Sequence, residues 1–211
     1  MYSYLLHSVN TIGLGVLPLI CRYISVSSGH SRAYWSTISG NYLLVPERWI
    51  FGVGVTLFVL VHIGINGYIS TRLLNHASSS TQLYASTIEL YLLGIFLLIA
   101  WIPAHLILGM HALLGGMLFC SVILWMLTIM QNIKFNAVLF YAMYICTSIS
   151  IVTLCLMIVY FPADLIAELV SARNDIPKKL YLLGMDERWS NFAICEWLFF
   201  YSVVVFMQLC G

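Results

Sequence analysis

Apolar residues run along this chain in long stretches, and polar residues gather in the intervals between them. The stretches cover 5–26, 49–69, 90–108, 110–130, 135–160 and 191–209. Crossing about 30 Å of hydrocarbon takes roughly 20 mostly apolar residues in an α-helix. Each stretch is therefore long enough to span a bilayer. None alternates apolar with polar positions, which excludes the strands of a membrane barrel. The third and fourth stretches almost touch. Pro103 inside the third and Gly109 at the join predict a tight helical hairpin rather than one bent rod, which would reduce the count to five. The pattern predicts an all-α membrane protein, a bundle of six transmembrane helices forming a single domain over 1–211, with no internal repeat. The first stretch has no basic leader and no small-residue cleavage site after it, so it reads as a retained anchor.

Three connections are long enough to hold structure of their own. The first, 27–48, is rich in Ser, Gly and aromatic residues. The second, 70–87, contains Ser78-Ser79-Ser80-Thr81-Gln82 and reads as a flexible loop. The third, 161–190, holds five of the eight acidic residues and four of the nine basic ones. Its segment Asp164–Arg173 predicts a short interfacial helix with Leu165, Ile166, Leu169 and Val170 on the apolar side. Tyr23, Trp35, Trp49, Tyr181 and Trp189 fall near the ends of the stretches, where amphipathic rings favour the membrane interface.

Composition agrees with the pattern. Hydrophobic residues make up 62% of the chain, charged residues 8%, and the mean hydropathy is +0.96. A soluble domain carries about 25% charged residues, and so few charges could not coat a water-facing surface. The net charge of +1 gives no footing for nucleic acid, whose binding rests on clustered Lys and Arg. Six spans put both termini on one side. Arg32, Arg48, Arg173, Lys178, Lys179 and Arg188 lie in the first and fifth loops, against Arg72 and Lys134 on the terminal side. By the positive-inside rule the termini would face away from the cytosol.

Candidate chemistry is sparse. Cys21, Cys120, Cys146, Cys155, Cys195 and Cys210 all fall in or at the ends of apolar stretches. With no Cys-x-x-Cys pair among them they read as small buried hydrophobes. A charge in hydrocarbon costs several kcal/mol unless it is partnered or wetted, roughly +2.5–3.5 kcal/mol on insertion scales. That singles out Glu196, near the start of the last stretch. It reads either as a buried acid that titrates or binds a lipid head group, or as a carboxylate hydrogen-bonded to another helix. Arg22, near the end of the first stretch, could snorkel or pair with it. His62 and Asn66 are four apart and share a helix face, and His105 and His111 flank the predicted hairpin. Three histidines and a glutamate could ligate a metal, but no His-x-x-x-His or His-Glu-x-x-His spacing fixes two ligands on one face. No cofactor or metal site is expected, and interhelical hydrogen bonds are the ordinary role for these groups. Gly115-Gly116, with Ala112 a turn earlier, predict close helix packing.

Several blocks resemble a known family. The first loop reads Ser28-Gly29-His30, then Ile38-Ser39, then Pro46-Glu47, and Ile50-Phe51-Gly52 opens the second stretch. The last stretch opens with Ala193-Ile194-Cys195-Glu196-Trp197, and His111 heads the fourth. In this order they resemble the damage-regulated autophagy modulator (DRAM) family. Its wider relatives include the Frag/Sfk-type proteins and the factors that remodel GPI-anchor lipids. Gly40-Asn41 stand where the family carries an acidic residue, and Ala112 where it often has Asp. The resemblance implies a six-span, non-enzymatic protein of lysosomal or other endomembranes that promotes autophagy, working with membrane lipids or other membrane proteins. It also implies cytosolic termini and a lumenal first loop, against the basic-residue count. We follow the resemblance on this point, because Glu47, Asp175, Asp186 and Glu187 lie beside the loop cations. A lipid-remodelling factor, GPI-anchor or phosphoinositide related, at endomembranes or the plasma membrane is the second reading. A small transporter or channel is the third.

Overall fold

The computed structural model describes residues 2–32, 36–66, 78–102, 104, 107–132, 137–172 and 175–210. Among these the regular structure is helical throughout, without a strand. Six long helices form α1 (Tyr2–Ser27), α2 (Glu47–Asn66), α3 (Ser79–Trp101), α4 (Leu108–Asn132), α5 (Ala137–Val159) and α8 (Ser190–Leu209). Two shorter ones, α6 (Ala163–Ser171) and α7 (Ile176–Gly184), lie between α5 and α8, and 3₁₀ turns occupy Ser39–Tyr42 and Glu187–Trp189. Each long helix is long and apolar enough to cross a membrane. Helices are what hydrocarbon demands, because every backbone N–H and C=O must find its partner within the segment.

The third span starts much earlier than the hydropathy pattern predicts. Ser78, in extended conformation, accepts the Thr81 N–H on its hydroxyl at 3.3 Å and caps α3. The serine run expected to be a flexible loop is thus a helix start, as Ser at an N-cap favours. The third and fourth spans are separate helices. Pro103 and His105, between them, lie outside the described residues, as do Trp35, Arg72, Lys134 and Arg173.

Packing contacts link α1 to α2, α2 to α3, α3 to α4, α4 to α5, α5 to α8, and α8 back to α1. The six spans thus form a closed ring. Polar side chains stitch it at depth. Ser150 and Ser202 hydroxyls meet at 2.6 Å between α5 and α8. Gln208 donates to Ser8 at 2.8 Å, and a His7 ring nitrogen lies 2.8 Å from the Met207 carbonyl. These contacts between α8 and α1 put the two chain ends on one side of the bundle. Outward residues such as Leu60, Val152 and Val159 are exposed, as expected where lipid is the solvent.

The opposite end is capped by the first and third connections together. Leu165, Leu169, Leu182, Leu183, Trp189, Leu43 and Ala104 pack into a separate apolar cluster there. The predicted helix at 164–173 is present as α6, with Leu165 and Leu169 inward, Ile166 partly buried and Val170 exposed. Gly29, at φ 71°, sits in the left-handed region that glycine tolerates, where α1 gives way to the first connection. Gly184 is needed for space, since a Cβ there would stand 2.8 Å from the His30 carbonyl oxygen. The adjoining backbone bond, Arg32 N–H to the Gly184 carbonyl at 3.2 Å, joins the two connections.

Arg188 ties the cap together from outside. Its guanidinium donates to Asp186, to Glu168 through both terminal nitrogens, and to Asp164 at 2.9 Å. These hydrogen bonds hold all three carboxyls below their ordinary range.

Two outcomes follow for the cap. Gly184→Ala should destabilise the protein by about 1–3 kcal/mol, the usual cost of overpacking. It should lower the thermal midpoint in detergent, whereas Gly94→Ala, whose Cβ would meet nothing within 4 Å, should not. The three carboxyls have lowered folded values, so their contribution is complete above the ordinary carboxylate value of about 4. It is lost as the pH falls through the lowered values. Acidification into that window should speed amide exchange over 163–171, and Arg188→Gln should do so at neutral pH.

Candidate functional site

The ring of spans does not close on a solid core. It encloses a cavity of about 450 Å³ to which all six long helices contribute. The lining is overwhelmingly apolar, with Phe51, Phe58, Phe96, Phe119, Trp125 and Phe199 supplying much of the wall. Polar groups enter at two levels. Thr37, Ser39, Tyr42, His111 and Glu196 meet it at the capped end, and His62 and Glu89 line it deeper in.

The two levels are about one leaflet apart. Tyr42 stacks on Phe51 with ring centroids 4.0 Å apart, which fixes the upper level on α2. From Phe51 to His62 is eleven residues, about 16 Å at the rise of an α-helix, roughly 1.5 Å per residue. Half of the roughly 30 Å hydrocarbon core is close to the same length.

The upper level is built where the first connection dips onto α8. Glu196 Oε2 accepts the Ile38 backbone N–H at 2.8 Å, and the Trp197 indole N–H donates to the Ser36 carbonyl at 2.9 Å. The chain from 36 to 42 is then folded on itself. Asn41 Oδ1 takes hydroxyl bonds from Ser31 and Ser36, Asn41 Nδ2 donates to the Thr37 carbonyl, and Thr37 Oγ1 receives the Gly40 N–H. Non-helical backbone survives at membrane depth only where protein surrounds it or it lines a cavity, and this segment does both. His111 Nδ1 lies 3.0 Å from the Ile102 carbonyl, so that nitrogen carries the proton and Nε2 is left as an acceptor. Burial pushes the Tyr42 phenol well above its usual range, with nearby Glu196 adding to the effect. Its hydroxyl therefore stays protonated.

The lower level is a buried pair. His62 Nε2 and Glu89 Oε1 are 2.7 Å apart, with both side chains almost wholly buried. Sequence reasoning missed Glu89, because it fell at the edge of what was read as a loop. The signal was the Ser78 cap, which starts α3 early enough to carry Glu89 into the bundle.

The remaining sequence candidates lie around this framework. Arg22 does not pair with Glu196; its guanidinium donates to the Ser36 hydroxyl at 2.8 Å and so braces the same loop. Glu47 is fully buried and bonds the His30 ring at 2.8 Å. The Pro46 carbonyl receives the Trp49 and Ile50 N–H groups that open α2. The Asn66 side chain lies outside the described residues. Among the described residues no group of three or more His, Cys, Asp or Glu could hold a metal ion. Of the cysteines, Cys21, Cys146, Cys195 and Cys210 are buried as expected, while Cys120 and Cys155 are exposed.

The glycine pair corrects another expectation. A Cβ on Gly116 would meet nothing within 4 Å, and one on Gly115 would meet only Ile99, at 3.9 Å. These positions do not bring helices together; with Ala112 they line the cavity. Ala112 and Gly116 on α4, and Ile158 and Phe161 across from them, are both lining and exposed. The cavity wall therefore includes exposed residues on α4 and at the end of α5.

The fold and site together define a polytopic α-helical membrane protein with an apolar internal cavity. No protein-family model, no curated protein and no solved structure matches this chain.

The Glu196 contact predicts a graded response. Glu196→Gln keeps a carbonyl oxygen for the Ile38 N–H and should leave expression and thermal stability near wild type. Glu196→Leu leaves that buried N–H without an acceptor, a loss of about 1–3 kcal/mol. It should reduce the yield of monodisperse protein and lower its melting temperature.

Proposed function

We propose that this chain is a non-enzymatic multi-pass protein of lysosomal or other endomembranes that holds one membrane lipid inside its bundle. Through that lipid it modulates autophagy. The observation that carries the proposal is the cavity: about 450 Å³, walled by aromatic and aliphatic side chains, polar at its capped end, with exposed lining residues on α4 and at the end of α5. A pocket of roughly 300–1,000 Å³ suits a small amphiphile, and on this reading a lipid tail enters from the membrane past the exposed wall residues Ala112, Gly116 and Ile158. The DRAM resemblance supplies the cellular setting. Its matching blocks meet at the capped end, through the His30–Glu47 and Ile38–Glu196 contacts, with Trp197 bonding the neighbouring Ser36 carbonyl. On this reading the termini are cytosolic and the cap is lumenal, with lipids and other membrane proteins as partners.

Lipid remodelling is the second reading, favoured by one observation. Glu196 and His111, a carboxylate and an imidazole, face the same lipid-sized cavity, the residue types that general acid–base chemistry uses.

Gly116→Phe tests the proposal, because Gly116 lines the cavity and a Cβ there would meet nothing within 4 Å, which leaves room for a bulky side chain to take up cavity space. Wild-type protein purified in mild detergent should retain about one lipid by native mass spectrometry, and the variant should lose most of it. In cells depleted of the protein, wild type should restore autophagic flux and the variant should not, with both at the same membrane. Equal lipid retention and equal rescue would refute the proposal. A changed cellular lipid profile on depletion would shift the weight to remodelling.

A further inference from the structure

The chemistry of the capped end selects among lipids. No Lys or Arg lines the cavity among the described residues, while two carboxylates, Glu89 and Glu196, do. Glu196 spends Oε2 on the Ile38 N–H, and among the described residues Oε1 has no protein partner. His111 donates from Nδ1 to a carbonyl and presents Nε2 as an acceptor. The Tyr42 and Ser39 hydroxyls, which line the same end, give or take a hydrogen bond and carry no charge. His62, the other imidazole on the wall, is engaged with Glu89. The pocket thus offers a carboxylate, a ring-nitrogen lone pair and two hydroxyls, with no fixed positive charge.

A phosphate placed there would meet the Glu196 carboxyl group and no Lys or Arg among the described wall residues, whereas phosphate recognition rests on Arg, Lys or rows of backbone N–H groups. A hydroxyl or an amine would find an acceptor on each side. We propose that the lipid held in the cavity has a phosphate-free head of hydroxyl or amino groups seated against Glu196, His111 and Tyr42, with its tail running down to the His62–Glu89 pair. This rests on the lipid-binding reading above and narrows it to one class, the long-chain alcohols and amines of membranes. Sphingoid bases, ceramides, glycerides with a free hydroxyl and sterols all share that chemistry.

The experiment uses the full-length protein in nanodiscs and four photoactivatable diazirine probes: a sphingoid base, a diacylglycerol, a sterol, and a phosphatidic acid matched in chains to the diacylglycerol. Crosslinked peptides are mapped by mass spectrometry. At least one of the phosphate-free probes should label cavity peptides from α4 or α8 at least tenfold more than phosphatidic acid, and Gly116→Phe should abolish the signal. Which probe dominates separates amine from hydroxyl recognition. Glu196→Gln preserves the Ile38 bond but turns a donor amide toward the cavity. It should therefore narrow the preference over phosphatidic acid at least tenfold, and His111→Gln should weaken labelling by the favoured probe. Phosphatidic acid labelling the cavity as well as the others would overturn the head-group assignment and leave the lipid site standing. No cavity labelling by any probe, with lipid retention unchanged in Gly116→Phe, would overturn both.

Discussion

The capped end of the bundle depends on the hydrogen bond by which Glu196 of the last span accepts a backbone N–H of the first connection. Ile38 is 158 residues from Glu196, yet its N–H meets that carboxylate at 2.8 Å. An irregular segment that dips toward the hydrocarbon has backbone donors no helix can satisfy. Water is scarce there, so a side chain from the wall must accept them. The neighbouring Trp197 indole does the converse, donating to the Ser36 carbonyl. Once these two contacts are made, the loop is a ceiling for the space inside the ring, and Tyr42 and His111 are brought to the same level.

The spans were legible because hydrocarbon tolerates little else. Length and apolarity alone give six helices, and all but the third, which begins at Ser79 rather than near 90, are centred close to where the pattern puts them. The errors share one physical cause. Small and polar residues have meanings that depend on neighbours, and a linear reading supplies neighbours only along the helix. Ser78–Gln82 is polar enough for a loop, yet Ser78 caps a helix. Gly115 and Gly116 suit close packing, yet the neighbouring helix stands off and the space is empty. Arg22 and Glu196 look like partners of opposite sign, but each satisfies a different part of the same loop.

The site was half legible. Glu196, His62 and His111 stood out because ionisable groups in apolar stretches are costly, and all three line the cavity. That cost says a group has a reason to be there without saying which. Glu196 holds a loop N–H with one oxygen, where the sequence suggested a bond to another helix, and the residue also lines the cavity. Glu89 went unnoticed because a boundary error of about ten residues placed it outside the span. The pairing of the sequence blocks with one another, His30 with Glu47 and Ser36–Ile38 with Glu196–Trp197, had no linear signal at all.

The ring closes between its first and last members, which imposes an order on biogenesis. Tyr201 donates to the Gly15 carbonyl at 3.1 Å, and His7 and Ser8 meet Met207 and Gln208. Five inserted spans therefore form an open sheet of helices rather than a container. The carboxylate that anchors the ceiling arrives with the last of them, so the interior comes into being only as α8 slides into place. Until then the inner aromatic wall faces the surrounding bilayer.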